Sequence, residues 1–168
     1  MCNMPHTLII GYGNPLRGDD GVGPRAAELL ADGGGVTPPL LPDGVQVLVC
    51  HQLTIELAPQ IAEADRLILI DARATGEPGS IEQCILTPAI PHRSSLTHHI
   101  DAQGLLAAAE MLYGHAPETL LFTVSGGSFD CGETLTPAVA AALPELLAQI
   151  RQVIADHSAF TRCSCPLT

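Results

Sequence analysis

The chain has 168 residues, 46% of them hydrophobic but only 3% aromatic, and a formal net charge of -11. This length predicts one domain able to bury a core of Leu, Ile, Val and Ala, with residues 7–157 as its body and 158–168 as a tail without hydrophobic period. The acidic balance argues against nucleic acid and anionic membrane surfaces as partners, and no run of roughly 18 uncharged apolar residues predicts membrane insertion.

Aliphatic runs alternate with helical patterns. The expected fold class is α/β: a single three-layer α/β/α domain with about five strands in a twisted, mostly parallel sheet and one antiparallel strand. Thr7–Gly11 reads as the first strand. A helix is expected over Asp20–Leu30, where Val22, Ala26, Leu29 and Leu30 recur at helical spacing. The Gly- and Pro-rich stretch Ala31–Gly44 is a connection. Val45–Cys50 follows as a strand, Ile55–Ala62 as a short helix and Arg66–Asp71 as a buried strand ending in a carboxylate. A turn at Gly76–Gly79 leads to Ile81–Leu86, close enough in sequence to run antiparallel to its predecessor.

Thr87–His99 is an irregular connection. The next helix spans Asp101–Tyr113, with Asp101 as N-cap and Gly114 as C-terminal stop. Thr119–Ser125 is the last strand and Ser125–Leu135 a loop. The final helix runs over Thr136–His157, with Val139, Leu143, Leu146, Leu147, Ile150 and Ile154 along one face. The six cysteines form no CxxC pair and no regular framework. Together with an N-terminus (Met1–His6) too short and polar for a signal peptide, they predict reduced thiols in the cytoplasm.

The most informative stretch is Leu8-Ile9-Ile10-Gly11-Tyr12-Gly13-Asn14-Pro15-Leu16-Arg17-Gly18-Asp19-Asp20-Gly21-Val22-Gly23. A strand running into Gly-x-Gly often opens a dinucleotide site, where helix N–H groups hold a pyrophosphate. Here Leu16 replaces the third glycine, and two aspartates put negative charge where the phosphate would sit. The loop suits a cation better. In an open α/β sheet, ligands bind outside the carboxyl ends of the parallel strands. Asp20 leaves the first strand and Asp71 ends the third, so parallel neighbours would bring both carboxylates to one edge. The connection after Leu86 reaches up to ~40 Å when extended, enough to bring His98 or His99 there.

Two carboxylates and an imidazole make an open site for a borderline divalent metal such as nickel or zinc. Plainer roles compete with this one. Asp19 or Asp20 could cap the first helix, although Pro24 weighs against Asp20, and Asp71 could cap a turn. Cys163 and Cys165 read as incidental thiols of a frayed end.

The signature stretch resembles the N-terminal motif of the [NiFe]-hydrogenase maturation endopeptidases. The resemblance continues through His51-Gln52-Leu53-Thr54-Ile55-Glu56-Leu57-Ala58, Leu67-Ile68-Leu69-Ile70-Asp71-Ala72 and Thr97-His98-His99. It closes at Gly132-Glu133-Thr134-Leu135-Thr136-Pro137 and covers about residues 7–155. It implies an endopeptidase that removes a C-terminal peptide from the nickel-loaded large-subunit precursor of a [NiFe] hydrogenase. It also implies Asp20, Asp71 and His98 as metal-contacting residues, with His98 aligned ahead of His99 and Asp20 and Asp71 catalytic. The metal would be the nickel of the substrate's own centre, for which another divalent ion could substitute. Hydrolysis would run either on the aspartate pair or through that metal. The rival functions are another divalent-metal-dependent hydrolase and a nucleotide-binding module.

Overall fold

The computed structural model describes residues 6–33, 41–89 and 100–156. Its strands are β1 (Thr7–Tyr12), β2 (Val45–Cys50), β3 (Arg66–Arg73), β4 (Ile81–Leu86) and β5 (Glu118–Ser125). The helices are α1 (Val22–Ala31), α2 (Ala58–Glu63), α3 (Ala102–Tyr113) and α4 (Pro137–Ala155). The strands form one sheet in the order β2-β1-β3-β5-β4, in which only the β4–β5 pair is antiparallel. This is the mixed α/β architecture expected from the sequence.

The pleat sends alternate side chains to opposite faces, and both faces are covered. Ile9, Ile68, Ile70, Leu120, Phe122 and Val124 pack with Val22, Ala26 and Leu30 of α1 and with α4. Leu8, Ile10, Leu67 and Leu69 pack on the other side with Ala58 and Ile61 of α2 and with Leu105, Leu106 and Ala109 of α3. By length and composition, the 19-residue α4 could cross a membrane. However, Val139, Leu146, Leu147, Ile150, Val153 and Ile154 along one side of it are buried against the sheet, as in a core helix. Burying those six side chains contributes a gross transfer term of about 10 kcal/mol, much of it offset by ordering entropy.

Element ends differ from expectation for local reasons. Gly18–Gly21 forms a 3-10 turn, so α1 begins at Val22 instead of Asp20. Pro24 is then the third residue of α1, where an N–H has no intrahelical partner to lose. Ile55–Leu57 is likewise a 3-10 turn ahead of α2, whose second residue is Pro59. Strands β1 and β3 run on to Tyr12 and Arg73, because pairing with β2 and β5 continues past the aliphatic runs. Helix α4 starts at Pro137 and ends at Ala155. Asp101 caps α3, accepting a hydrogen bond from Gly104 N at 2.7 Å, and Gly114 closes it with φ 76°.

Helix α1 lies unusually close to the sheet, and Gly23 makes this possible. A Cβ there would fall on the carbonyl oxygens of both Tyr12 and Ile70, far inside van der Waals contact. Gly23→Ala is therefore expected to destabilise the fold by about 3 kcal/mol, roughly 6–12 °C in melting temperature. A thermal melt within 2 °C of the parent would show that the helix can shift freely.

Candidate active site

Strands β1 and β3 are parallel neighbours with Gly11 opposite Ile70, so the residues that follow leave the sheet together. Tyr12 and Asp71 stand at this edge. After Tyr12 the chain turns back on itself. Gly13 takes φ 140°, and a side chain there would collide with the backbone carbonyl of Asp20. The turn is closed by Arg17 N donating to Asn14 O at 3.0 Å and by Asp20 N donating to Arg17 O at 3.2 Å. Asn14 N also donates to Asp20 Oδ2 at 2.8 Å, which fixes that carboxylate against the start of the turn.

Asp20 and Asp71 line one open cleft of about 300 Å³ together with Tyr12, Gly13, His51, Gln52, Leu53, Ile100, Asp101 and Ala102. The two aspartates singled out in the sequence thus come together. His98 and His99 lie outside the described residues. Among the described residues, no group of three or more His, Cys, Asp or Glu side chains is arranged to hold a metal ion. The Asp20 and Asp71 carboxylates share the cleft with the side chains of Asp101 and His51.

Burial pushes the Asp71 carboxyl up to about 6, and the nearby charge of Asp20 adds to this. Hydrogen bonds from the Tyr12 hydroxyl and from Ala72 N, the latter at 2.8 Å, work in the opposite direction. Burial, the Asp71 charge and its hydrogen bond to Asp71 hold the Tyr12 hydroxyl in its protonated, donating form, far above the ordinary phenol range. Asp101 adds further negative potential at Tyr12.

The capping role left open for Asp19 is not the one it takes. It does not cap α1, whose N-cap is Gly21 without a side-chain hydrogen bond. Its carboxylate is fully buried and accepts from Gly127 N, Ser128 N, Thr136 N and Thr136 Oγ1. Burial alone would raise this carboxyl, but the four hydrogen bonds outweigh it and hold Asp19 below the usual carboxylate range. The sequence did not point to Tyr12 or Asp101 as cleft residues. The signal for Tyr12 was its place one residue beyond Gly11 at the end of β1, next to Asp71 across the pair. Nothing local could reveal that Asp19 meets residues 108 to 117 positions away.

Fold and cleft define a class: a three-layer α/β/α protein with paired carboxylates at the carboxyl edge of a parallel strand pair. No protein-family model matches the chain. It is 33% identical to the hydrogenase expression/formation protein HupM of Azotobacter chroococcum mcd 1, covering 91% of this chain and 73% of that one. It is 30% identical to HupD of Bradyrhizobium diazoefficiens, with 95% and 84% covered. Among solved structures, the hydrogenase maturating endopeptidase HybD from E. coli is 27% identical with a TM-score of 0.71, covering 86% of this chain and 89% of that one. The chain belongs to the hydrogenase expression/formation proteins, the hydrogenase maturation endopeptidase family.

The Asp71 carboxyl makes stability depend on pH. Its folded value of about 6 lies above the ordinary 3.8, so the folded chain keeps a proton that the unfolded chain has released. The stability this carboxyl contributes is therefore fully present below the ordinary value and is lost as pH rises through about 6. Asp71→Asn removes that cost. It is expected to melt with the parent near pH ~4 and about 2–4 °C above it near pH ~7.5, a gain on the order of 1 kcal/mol. A variant melting below the parent at the higher pH would show that the ionised carboxylate is stabilising in place.

Proposed function

We propose that this chain is a cytoplasmic endopeptidase that removes a C-terminal peptide from the nickel-loaded large-subunit precursor of a [NiFe] hydrogenase. The observation that carries this is the convergence of Asp20 and Asp71 in one open cleft, in a chain whose relatives are hydrogenase maturation proteins. Asp20, Asp71 and His98 are the proposed contacts to the precursor's nickel, and Asp20 and Asp71 the catalytic pair. The metal belongs to the substrate and polarises what it binds. The protease supplies hard oxygen donors and leaves coordination positions for ligands of the precursor itself.

The chain's own groups suit that task. Asn14 N holds one oxygen of Asp20, and Tyr12 with Ala72 N holds Asp71, so both carboxylates are oriented before a substrate arrives. A carboxyl titrating near 6 can take or return a proton close to neutral pH, as general acid–base work on an amide requires. Tyr12 keeps its proton and supports Asp71 as a donor. The cleft is open to the surface, as entry of a protein C-terminus demands.

Asp20→Asn, Asp71→Asn and His98→Ala are each expected to lower processing of the nickel-loaded precursor by at least about 10²-fold with the fold retained, whereas His99→Ala keeps the parent rate. Gel separation of precursor and product, with circular dichroism for the fold, measures this. Parent-rate cleavage by any two of the first three would remove the cleft from consideration.

A nickel-free precursor is expected to be cut at least ~100-fold more slowly than the loaded one at equal concentration. A few kcal/mol of shared ligation produces that ratio. Equal cleavage of the two forms would leave an aspartate-only hydrolysis and remove metal recognition.

A further inference from the structure

Asp19 and Asp20 are neighbours, yet one faces the cleft and the other is withdrawn from water altogether. Asp19 Oδ2 accepts from Gly127 N at 2.7 Å, Ser128 N at 3.1 Å and Thr136 Oγ1 at 2.8 Å, while Oδ1 accepts from Thr136 N at 2.7 Å. Main-chain bonds run beside it. Asp19 N donates to Ser128 O at 3.0 Å, Gly18 N to Gly132 O at 2.8 Å and Gly132 N to Leu16 O at 3.0 Å. The turn carrying Asp20 is thus stitched along much of its length to the loop ahead of α4. Packing closes the joint, because a Cβ at Gly126 would meet the Phe129 ring and lie 3.0 Å from Asp19 Cβ.

We propose that Asp19 is a positioning residue for peptide cleavage: its buried carboxylate locks the signature turn onto the 126–136 loop and so holds Asp20 at its place in the cleft. The proposal rests on the role proposed above for Asp20. A buried carboxylate is costly unless its oxygens are fully satisfied, and neutral side chains could tie two loops at less cost. An anion gathering four donors in several directions fixes orientation as well as distance. Thr136 is also the N-cap of the 19-residue α4, so the negative charge sits at the favourable end of that helix. The joint therefore refers Asp20 to α4, the longest helix among the described residues. Misplacing a reacting group by about 1 Å can cost on the order of 10²-fold in rate.

The test uses the full chain, a nickel-loaded precursor and single-turnover cleavage at rising protease concentration, which separates the maximal rate from the half-saturating concentration. Asp19→Ala, Thr136→Val and Thr136→Ser are compared after thermal melts identify a temperature at which each is folded. Asp19→Ala is expected to lower the maximal rate at least ~100-fold and Thr136→Val about tenfold, with half-saturation within twofold of the parent. Thr136→Ser, which restores the hydroxyl, should return the parent rate. If Asp19→Ala does not fold at any temperature, Thr136→Val decides. A folded variant of either kind that cleaves at the parent maximal rate, or that loses only half-saturation, overturns the positioning role. Parent-rate cleavage by Asp20→Ala, run alongside, would instead overturn the proposed site.

Discussion

The parallel pairing of β1 with β3 is the constraint on which the cleft depends. With Gly11 opposite Ile70, both strands deliver their next residues to the same sheet edge. Helix α1 then lies so close over the pair that Gly23 approaches the carbonyl oxygens of Tyr12 and Ile70. Strand spacing and helix approach are set by backbone atoms, which have no rotamers to relax. Side chains at the edge therefore inherit a stiff base. Tyr12, Asp20 and Asp71 line the cleft without any of them having to hold the fold together there.

Much of the fold was legible because burial imposes periodicity. Ile68 and Ile70 against Leu67 and Leu69 show why β3 reads as a continuous aliphatic run: alternate residues enter different cores, and both are apolar. Boundaries were less legible. The 3-10 turn at Gly18–Gly21 satisfies backbone groups by tighter local bonding, which hydrophobic spacing does not register. Asp20 and Asp71 could be singled out because each follows an aliphatic run that reads as a strand, on the condition, met in the structure, that the two strands are parallel neighbours. Tyr12 looked like another strand residue, since its hydroxyl matters only through a neighbour on β3. For Asp19 a local cap stayed open as a role because its partners come from far along the chain.

Asp19 and Asp71 have opposite electrostatic surroundings. Asp19 is enclosed by N–H and O–H donors that outweigh its loss of water and hold it firmly ionised. Asp71, across the cleft edge from Asp20, has fewer donors and a like charge nearby, so its proton is held to near-neutral pH. The same residue type serves as a permanent anion in one place and a titrating group in the other. Burial is common to both, and the number of donors decides between them.

The long sequence separation of the Asp19 joint has a consequence in time. Asp19 leaves the ribosome early, but its partners Gly127, Ser128 and Thr136 follow 108, 109 and 117 residues later. At ~5–20 residues per second, that interval is on the order of ten seconds. Throughout it the carboxylate lacks its donors and stays in water, and the turn that carries Asp20 has nothing to lean on. Strands β1 and β3 can pair meanwhile, since both precede residue 74. A nascent chain can therefore own a nearly complete sheet before the joint beside Asp20 has closed.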